Sequence, residues 1–174
     1  MKAADVYKRL KGHFGAWTKM HGFSPLERGV SWSRPHGSVA LIFGFGVARR
    51  DYWDQFAGSQ FVLDFQIGRP GNDDLKNRCF RFCYLLTDAQ REELRLIQNR
   101  VINSLTAPPY DHERVRDLDT ETKDWYLEKF VPVPSINPKH DTWMRYYTAE
   151  HVDEWAHYLL RQMPHFLNEL ETRK

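Results

Sequence analysis

Cysteine is scarce in this sequence: two of 174 residues, Cys79 and Cys83. On one strand, four residues of about 3.3 Å rise hold them roughly 13 Å apart. A disulfide needs Cα atoms within about 7 Å, so a disulfide framework is excluded. Two free thiols suit a reducing compartment, and a cytoplasmic location is expected. C-x-x-x-C with no second pair and no neighbouring histidine is not zinc spacing. No bound metal and no cofactor are expected. Long apolar runs are missing too. The longest, Val39 to Ala48, is strand-sized and carries two glycines. A membrane span takes roughly 20 apolar residues, so no membrane partner is expected. The opening Met1-Lys2-Ala3-Ala4-Asp5 leads into an amphipathic pattern rather than an apolar run before a cleavage site, so no targeting segment is expected. Internal repeats, heptads and low-complexity tracts are absent.

A strong charge bias is also lacking. The formal net charge is +2, which leaves a nucleic-acid partner open without indicating one. The distribution says more. Residues 1–58 carry +5, residues 59–105 carry +1 and residues 106–174 carry −4. Opposite charge at the two ends favours their attraction on folding; a basic binding surface is the sharper use of the same asymmetry. What the chain has in quantity is aromatic area: six Trp, eight Tyr and eleven Phe. Each ring buries on the order of 150–250 Å². A chain of this length suits one domain burying about two-thirds of its unfolded surface.

The apolar periodicity predicts the elements. Val6, Leu10, Phe14 and Trp17 place a helical stripe on residues 5–20, stopped by Gly22. Residues 29–34 alternate as a strand with Val30 and Trp32 on one side, and Arg34-Pro35-His36-Gly37 reads as a turn. Residues 38–48 are apolar on both faces, as in a covered central strand. Gly44 and Gly46 suggest a close approach, most simply by a helix. Residues 59–67 alternate cleanly, with Phe61, Leu63, Phe65 and Ile67 on one side. Residues 78–86 read as a further strand, with Phe80, Phe82, Tyr84 and Leu86 on one face. Thr87-x-x-Gln90 is a capping box that opens a helix through Leu94, Ile97, Val101 and Leu105. That helix ends before Pro108-Pro109. Residues 111–128 hold a short helix around Val115 and Leu118. Residues 130–138, with three prolines, read as an extended crossing segment. Residues 142–147 form an edge strand with Trp143, Arg145 and Tyr147 on one side. Thr148 caps the last helix, which carries Val152, Trp155, Leu159 and Met163 and should kink or restart at Pro164.

Several groupings invite a chemical reading. Glu154-x-x-His157, inside His151–His157, has the spacing of paired ligands on one helical face. Di-iron sites need a second copy and two further Glu, and none is present; a solvated helix face is the plainer reading. Asp111-His112-Glu113 reads as a surface turn, and Trp53 and Trp143 as core residues. There is no G-x-S-x-G elbow, no dinucleotide fingerprint around Gly44-Phe45-Gly46 and no P-loop. Cys83 lies in an apolar strand with only Arg81 near it, which gives no sign of an activated thiol. The helix–three-strand–helix order is similar to that of metal-dependent nucleases, which carry an acid on one strand and acid-x-Lys on the next. Asp64 offers an acid, but no Lys follows in place. The surface that remains is the second face of the sheet: Ser31, Ser33, Asp64, Gln66 and Arg81, with Arg34 and Arg69 at the strand ends. If adjacent, Asp64 and Arg81 form a cross-strand pair.

The first helix ending at Gly22-Phe23, the Trp-containing strand, the F-x-L-x-F-x-I strand at Phe61–Ile67, Asp141-Thr142-Trp143 and Pro164 together resemble a family of small bacterial proteins known only as a domain of unknown function. The resemblance implies an α+β fold and no activity. This chain departs from it in a Pro-containing insertion over residues 106–140.

The expectation is therefore one α+β domain over residues 1–174. It has an antiparallel meander of four or five strands, an N-terminal helix, a middle helix and a C-terminal helix. The expected function is a non-enzymatic protein-binding module, of the kind a bacterial immunity or defence-associated protein would be. The alternative is a hydrolase or nuclease with a site assembled from dispersed Asp, Glu and His. No catalytic residues are assigned. The binding candidates are Arg34, Asp64, Gln66, Arg69 and Arg81, and the expected partner is another protein.

Overall fold

A computed structural model describes residues 1–26, 30–48, 58–68, 78–104, 113–128 and 143–172. Helix α1 (Ala3–Met20) buries Val6, Leu10, Phe14 and Thr18, the stripe that its spacing predicts. It starts earlier than predicted because Asp5 accepts from the Lys2 backbone N–H at 3.2 Å. Its end is a Schellman closure: Gly22 takes a φ of +73°, Phe23 N–H reaches the Thr18 carbonyl at 2.9 Å and Gly22 N–H reaches Lys19 at 3.3 Å.

Strands β1 (Ser24–Pro25), β2 (Val30–His36), β3 (Val39–Val47), β4 (Ser59–Gly68) and β5 (Arg78–Arg81) follow, then a 3-10 turn over Phe82–Leu85. Next come α2 (Asp88–Asn103), α3 (Glu113–Arg116), α4 (Thr120–Glu128), β6 (Met144–Tyr146) and α5 (Ala149–Glu171). Among the described residues the sheet has six antiparallel strands in the order β1-β2-β3-β4-β5, with β6 also paired to β4. The α+β architecture, with an N-terminal helix, a middle helix α2 and a C-terminal helix around an antiparallel sheet, is as the sequence predicts. The one additional strand is the two-residue β1; the three-residue β6 lies within the edge strand predicted over residues 142–147.

Four local expectations change. The residues read as a turn at Arg34–Gly37 belong to β2 up to His36, and the reversal is Gly37-Ser38, with Gly37 at φ +60°. Pro35 is tolerated because, among the described residues, β1 pairs only with Trp32 and Ser33, so this part of the edge needs no N–H. The strand predicted over residues 78–86 ends at Arg81, and Phe82–Leu85 wind into the 3-10 turn, leaving Tyr84 54% exposed. The reason is competition for one edge. β5 pairs with Asp64–Ile67 while β6 takes Ser59–Phe61 of the same strand. Cys83 is therefore off the strand; both thiols are free, as expected. The single helix expected around Val115 and Leu118 is two, α3 and α4. Finally, α5 runs on through Pro164 without a break. Met163, Phe166, Leu167 and Leu170 around it are buried, so packing holds the geometry that the missing N–H would loosen. The extended segment predicted at 130–138 lies outside the described residues.

One face of the sheet is the core. Phe14 of α1 packs on Trp32, Phe43 and Phe45, with ring centroids 6.2, 6.1 and 5.0 Å away. Phe166 of α5 packs on Phe65 at 5.5 Å and Phe82 at 6.4 Å. The first and last helices thus seal the greasy side together. Helix α2 has another task. Its buried Gln98 reaches the outer edge of β6, where Arg145 N–H donates to Oε1 at 3.2 Å and Nε2 donates to the Trp143 carbonyl at 3.4 Å. Trp155 Nε1–H donates to the Arg145 carbonyl at 2.7 Å. Side chains thereby close an edge that would otherwise present unpaired backbone.

Candidate functional site

The residues nominated on the second face of the sheet separate. Asp64 and Arg81 lie directly opposite each other on β4 and β5. Arg81 Nε–H donates to Asp64 Oδ1 at 3.0 Å, the cross-strand pair expected from the alternation. The Arg81 guanidinium also lies 5.5 Å from the Trp143 ring centroid. Gln66 faces the same way, opposite Cys79 and Ile42. Arg34 does not join them. It shares the core side of β2 with Trp32, stacks 4.8 Å over Phe23 and pairs with Glu171 at the end of α5. Its role is to fasten α5 to the sheet edge. Arg69 lies outside the described residues.

The second face is also less open than a half-solvated surface. Ala40, Ile42 and Val62 on it are buried. Gly44 is explained here, though not by a helix. A Cβ at position 44 would lie 2.9 Å from Ser31 Cβ on the neighbouring strand, so the close approach comes from within the sheet.

A second group of polar residues gathers where α1, α2 and α5 meet. α2 and α5 run antiparallel, since Glu93 pairs with Arg161 and Arg100 with Glu154. Polar bonds continue at both ends of this seam. Gln90 Nε2 donates to Gln162 Oε1 at 2.7 Å, and Ser104 Oγ lies 3.2 Å from His151 Nε2. The capping box at Thr87 and Gln90 forms as predicted, and its Gln90 carbonyl accepts from the Tyr158 hydroxyl at 2.9 Å. Burial pushes the Tyr158 phenol up, which keeps it a donor. Between the bridging ion pairs lies a cleft of about 620 Å³ lined by Leu96, Ile97, Glu150, Asp153 and His157 among others. Leu96 is 47% exposed there.

The cleft borders on α1 through Asp153. His13 Nε2 lies 2.8 Å from Asp153 Oδ1, and Arg9 pairs with the other carboxylate oxygen. The rings of His13 and His157 meet edge-on with centroids 4.8 Å apart. Burial would raise the Asp153 carboxyl, but hydrogen bonds from His13 and Arg9 overcome it and hold it below its usual range. A hydrogen bond from the Thr148 hydroxyl does the same for Glu150. Both acids therefore stay ionised as ion-pair and cap partners, a poor state for a general acid. Among the described residues no cluster of His, Cys, Asp or Glu is arranged to hold a metal. Glu154 and His157, the pair with ligand spacing, go to different neighbours: Glu154 to Arg100 and His157 to the His13 ring. Of Asp111-His112-Glu113, the first two lie outside the described residues and Glu113 begins α3. No described helix is long and apolar enough to cross a membrane.

The sequence does not single out the α2–α5 cleft. Its signal was available in the charged positions of two amphipathic helices, Glu93, Arg100, Glu154 and Arg161. Nothing in their spacing says that the two helices meet. Comparison with family models, with curated proteins and with solved structures gives no match to this chain.

Proposed function

We propose that the chain is a non-enzymatic protein-binding module that engages its partner through the cleft between α2 and α5. The observation that carries this reading is that the cleft is set before any partner arrives. Its walls are tied by Glu93–Arg161, Arg100–Glu154 and Gln90–Gln162, while Leu96 stays 47% exposed between them. A preset groove loses little conformational freedom on binding. An exposed apolar side chain framed by charge is the pattern of an interface centre with a polar rim. The ionisable groups around it support the non-enzymatic half of the reading, because Arg9, His13, Asp153, Glu154 and Arg100 are engaged with one another. Asp64, the acid that a nuclease reading would use, is likewise tied to Arg81.

Affinity capture from the native cell tests this, with the wild-type chain, Leu96→Glu and Met20→Glu as baits. Met20 is 79% exposed and lies at the far end of α1, outside the cleft. The expected result is one stoichiometric protein on the wild-type and Met20→Glu baits and its loss from Leu96→Glu. No retained protein, or equal retention by Leu96→Glu, overturns the reading. So does a purified chain that consumes a nucleic acid or an ester. A bacterial immunity or defence-associated role calls for a partner that is an enzyme inhibited on binding, and assay of the captured protein decides that finer point.

A further inference from the structure

His151 sits where the end of β6, the start of α5 and the end of α2 meet. Tyr147 N–H and Thr148 N–H both donate to its Nδ1, at 3.1 and 3.2 Å. Its Nε2 lies 3.2 Å from Ser104 Oγ, and that hydroxyl donates to the Val101 carbonyl at 2.7 Å. A hydroxyl has a single proton to give. With that proton committed to Val101, the Ser104 oxygen accepts from Nε2–H. The tautomer follows: Nε2 carries the hydrogen and Nδ1 keeps its lone pair for two backbone donors. An imidazolium has N–H on both nitrogens and no free lone pair. It would point a third donor at the first two. Taking up a proton therefore requires the ring to leave the corner.

The charged groups that act on it are on α5, and basic groups of the neighbouring helices are paired with acids of α5. Glu150 and Glu154 on α5 attract a cation. Arg100 on α2 is spent on Glu154, and Arg9 on α1 is spent on Asp153. Burial acts against the charged imidazole, and it outweighs the pull of the two glutamates.

We propose that His151 is an acid-operated latch: neutral, it clamps the β6–α5 corner to the end of α2; protonated, it frees that corner and slackens the α5 wall of the cleft. The first turns of α5 carry Glu150, Asp153 and Glu154, which line the cleft. A partner seated there would be released in mild acid. That last consequence rests on the proposed function; the latch does not.

The test uses the full-length chain in solution and two readings. The first is the protonation pattern of the His151 ring by nitrogen-15 NMR near neutral pH, where an Nε2–H tautomer is expected. The second is hydrogen exchange of the Tyr147 and Thr148 amides, corrected for the intrinsic pH dependence of exchange. Their protection should fall on the order of tenfold between about pH 7 and about pH 5, because imidazole charges across that interval. His151→Gln is the control. A glutamine at this third helical position accepts from the cap backbone without titrating, so its protection should stay flat. An Nδ1–H tautomer, unchanged wild-type protection, or the same fall in His151→Gln overturns the latch. If His151→Gln does not fold, the two wild-type readings still decide. Loss of the partner in Leu96→Glu with an intact latch, or the reverse, separates the two proposals.

Discussion

Replacing Gln98 with leucine should lower stability by about 1.5–3 kcal/mol, and the size can be worked from the contacts. Gln98 is 1% exposed. Its amide accepts from Arg145 N–H at 3.2 Å and donates to the Trp143 carbonyl at 3.4 Å. A buried backbone group left without a partner costs about 1–3 kcal/mol. The N–H loses most, since it has one hydrogen and one partner. The carbonyl loses less, because its bond is long and it has a second lone pair. Leucine has no amide to keep satisfied, which offsets roughly 1 kcal/mol. With a urea slope of about 1–3 kcal/mol per molar, the denaturation midpoint should fall by roughly 1 M. A fall below about 0.3 M with an unchanged slope would refute the idea that this side chain completes the sheet edge. Gln98→Glu sharpens the test. Near neutral pH the introduced carboxylate has no hydrogen for Trp143 and is buried beside it. Once protonated it can accept and donate as the amide does. Burial puts its folded pKa above the ordinary value near 4.3. Its stabilising contribution is thus full below that value and lost as pH rises through the folded pKa. Gln98→Glu should gain on Gln98→Leu as the solution is acidified; parallel pH profiles would sink the account.

Three further outcomes follow from particular contacts. Gly58 has a φ of +69°, and a Cβ there would lie 2.2 Å from the Tyr146 carbonyl oxygen; Gly58→Ala should lose about 2–5 kcal/mol in chemical denaturation, from backbone strain plus displacement of β6. The Asp64–Arg81 pair is half-exposed at Asp64, 47%, so Asp64→Asn should cost under about 1 kcal/mol, and a double-mutant cycle with Arg81→Ala should give a coupling of similar size. Because the folded pKa of His151 is lowered, its contribution to stability is full above the ordinary value near 6.5 and is lost as pH falls through the folded pKa. Wild type should therefore lose urea midpoint relative to His151→Gln on acidification, and an opposite trend would contradict the burial of a neutral ring.

Much of the fold was legible because its signals are local. The i, i+4 spacing of Val6, Leu10 and Phe14 needs only a helix to become a stripe. The Thr87–Gln90 box closes on itself within one turn. Phe61, Leu63 and Phe65 alternate within one strand, and each is buried. The misreadings arose where another segment intervened. Residues 82–85 have strand alternation, but β6 already holds the stretch of β4 they would need. Pro35 signals a turn, but an outer edge unpaired among the described residues tolerates it. Pro164 signals a break, but buried side chains on either side carry the helix past it. Of the nominated surface, the Asp64–Arg81 pair formed as the pattern suggested. Arg34 turned to the core side because residue parity on β2 places it with Trp32.

By itself, then, the order of residues determined most of the element types and the apolar face of each element. These depend on periods of two or 3.6 residues and on neighbours a few positions away. Tertiary structure alone decided which elements touch. It brought Asp153 against Arg9 and His13, separated by 144 and 140 positions, and set His151 beside Ser104, 47 positions away. A period along the chain records which way a side chain points from its own helix; only packing supplies the second helix it points toward.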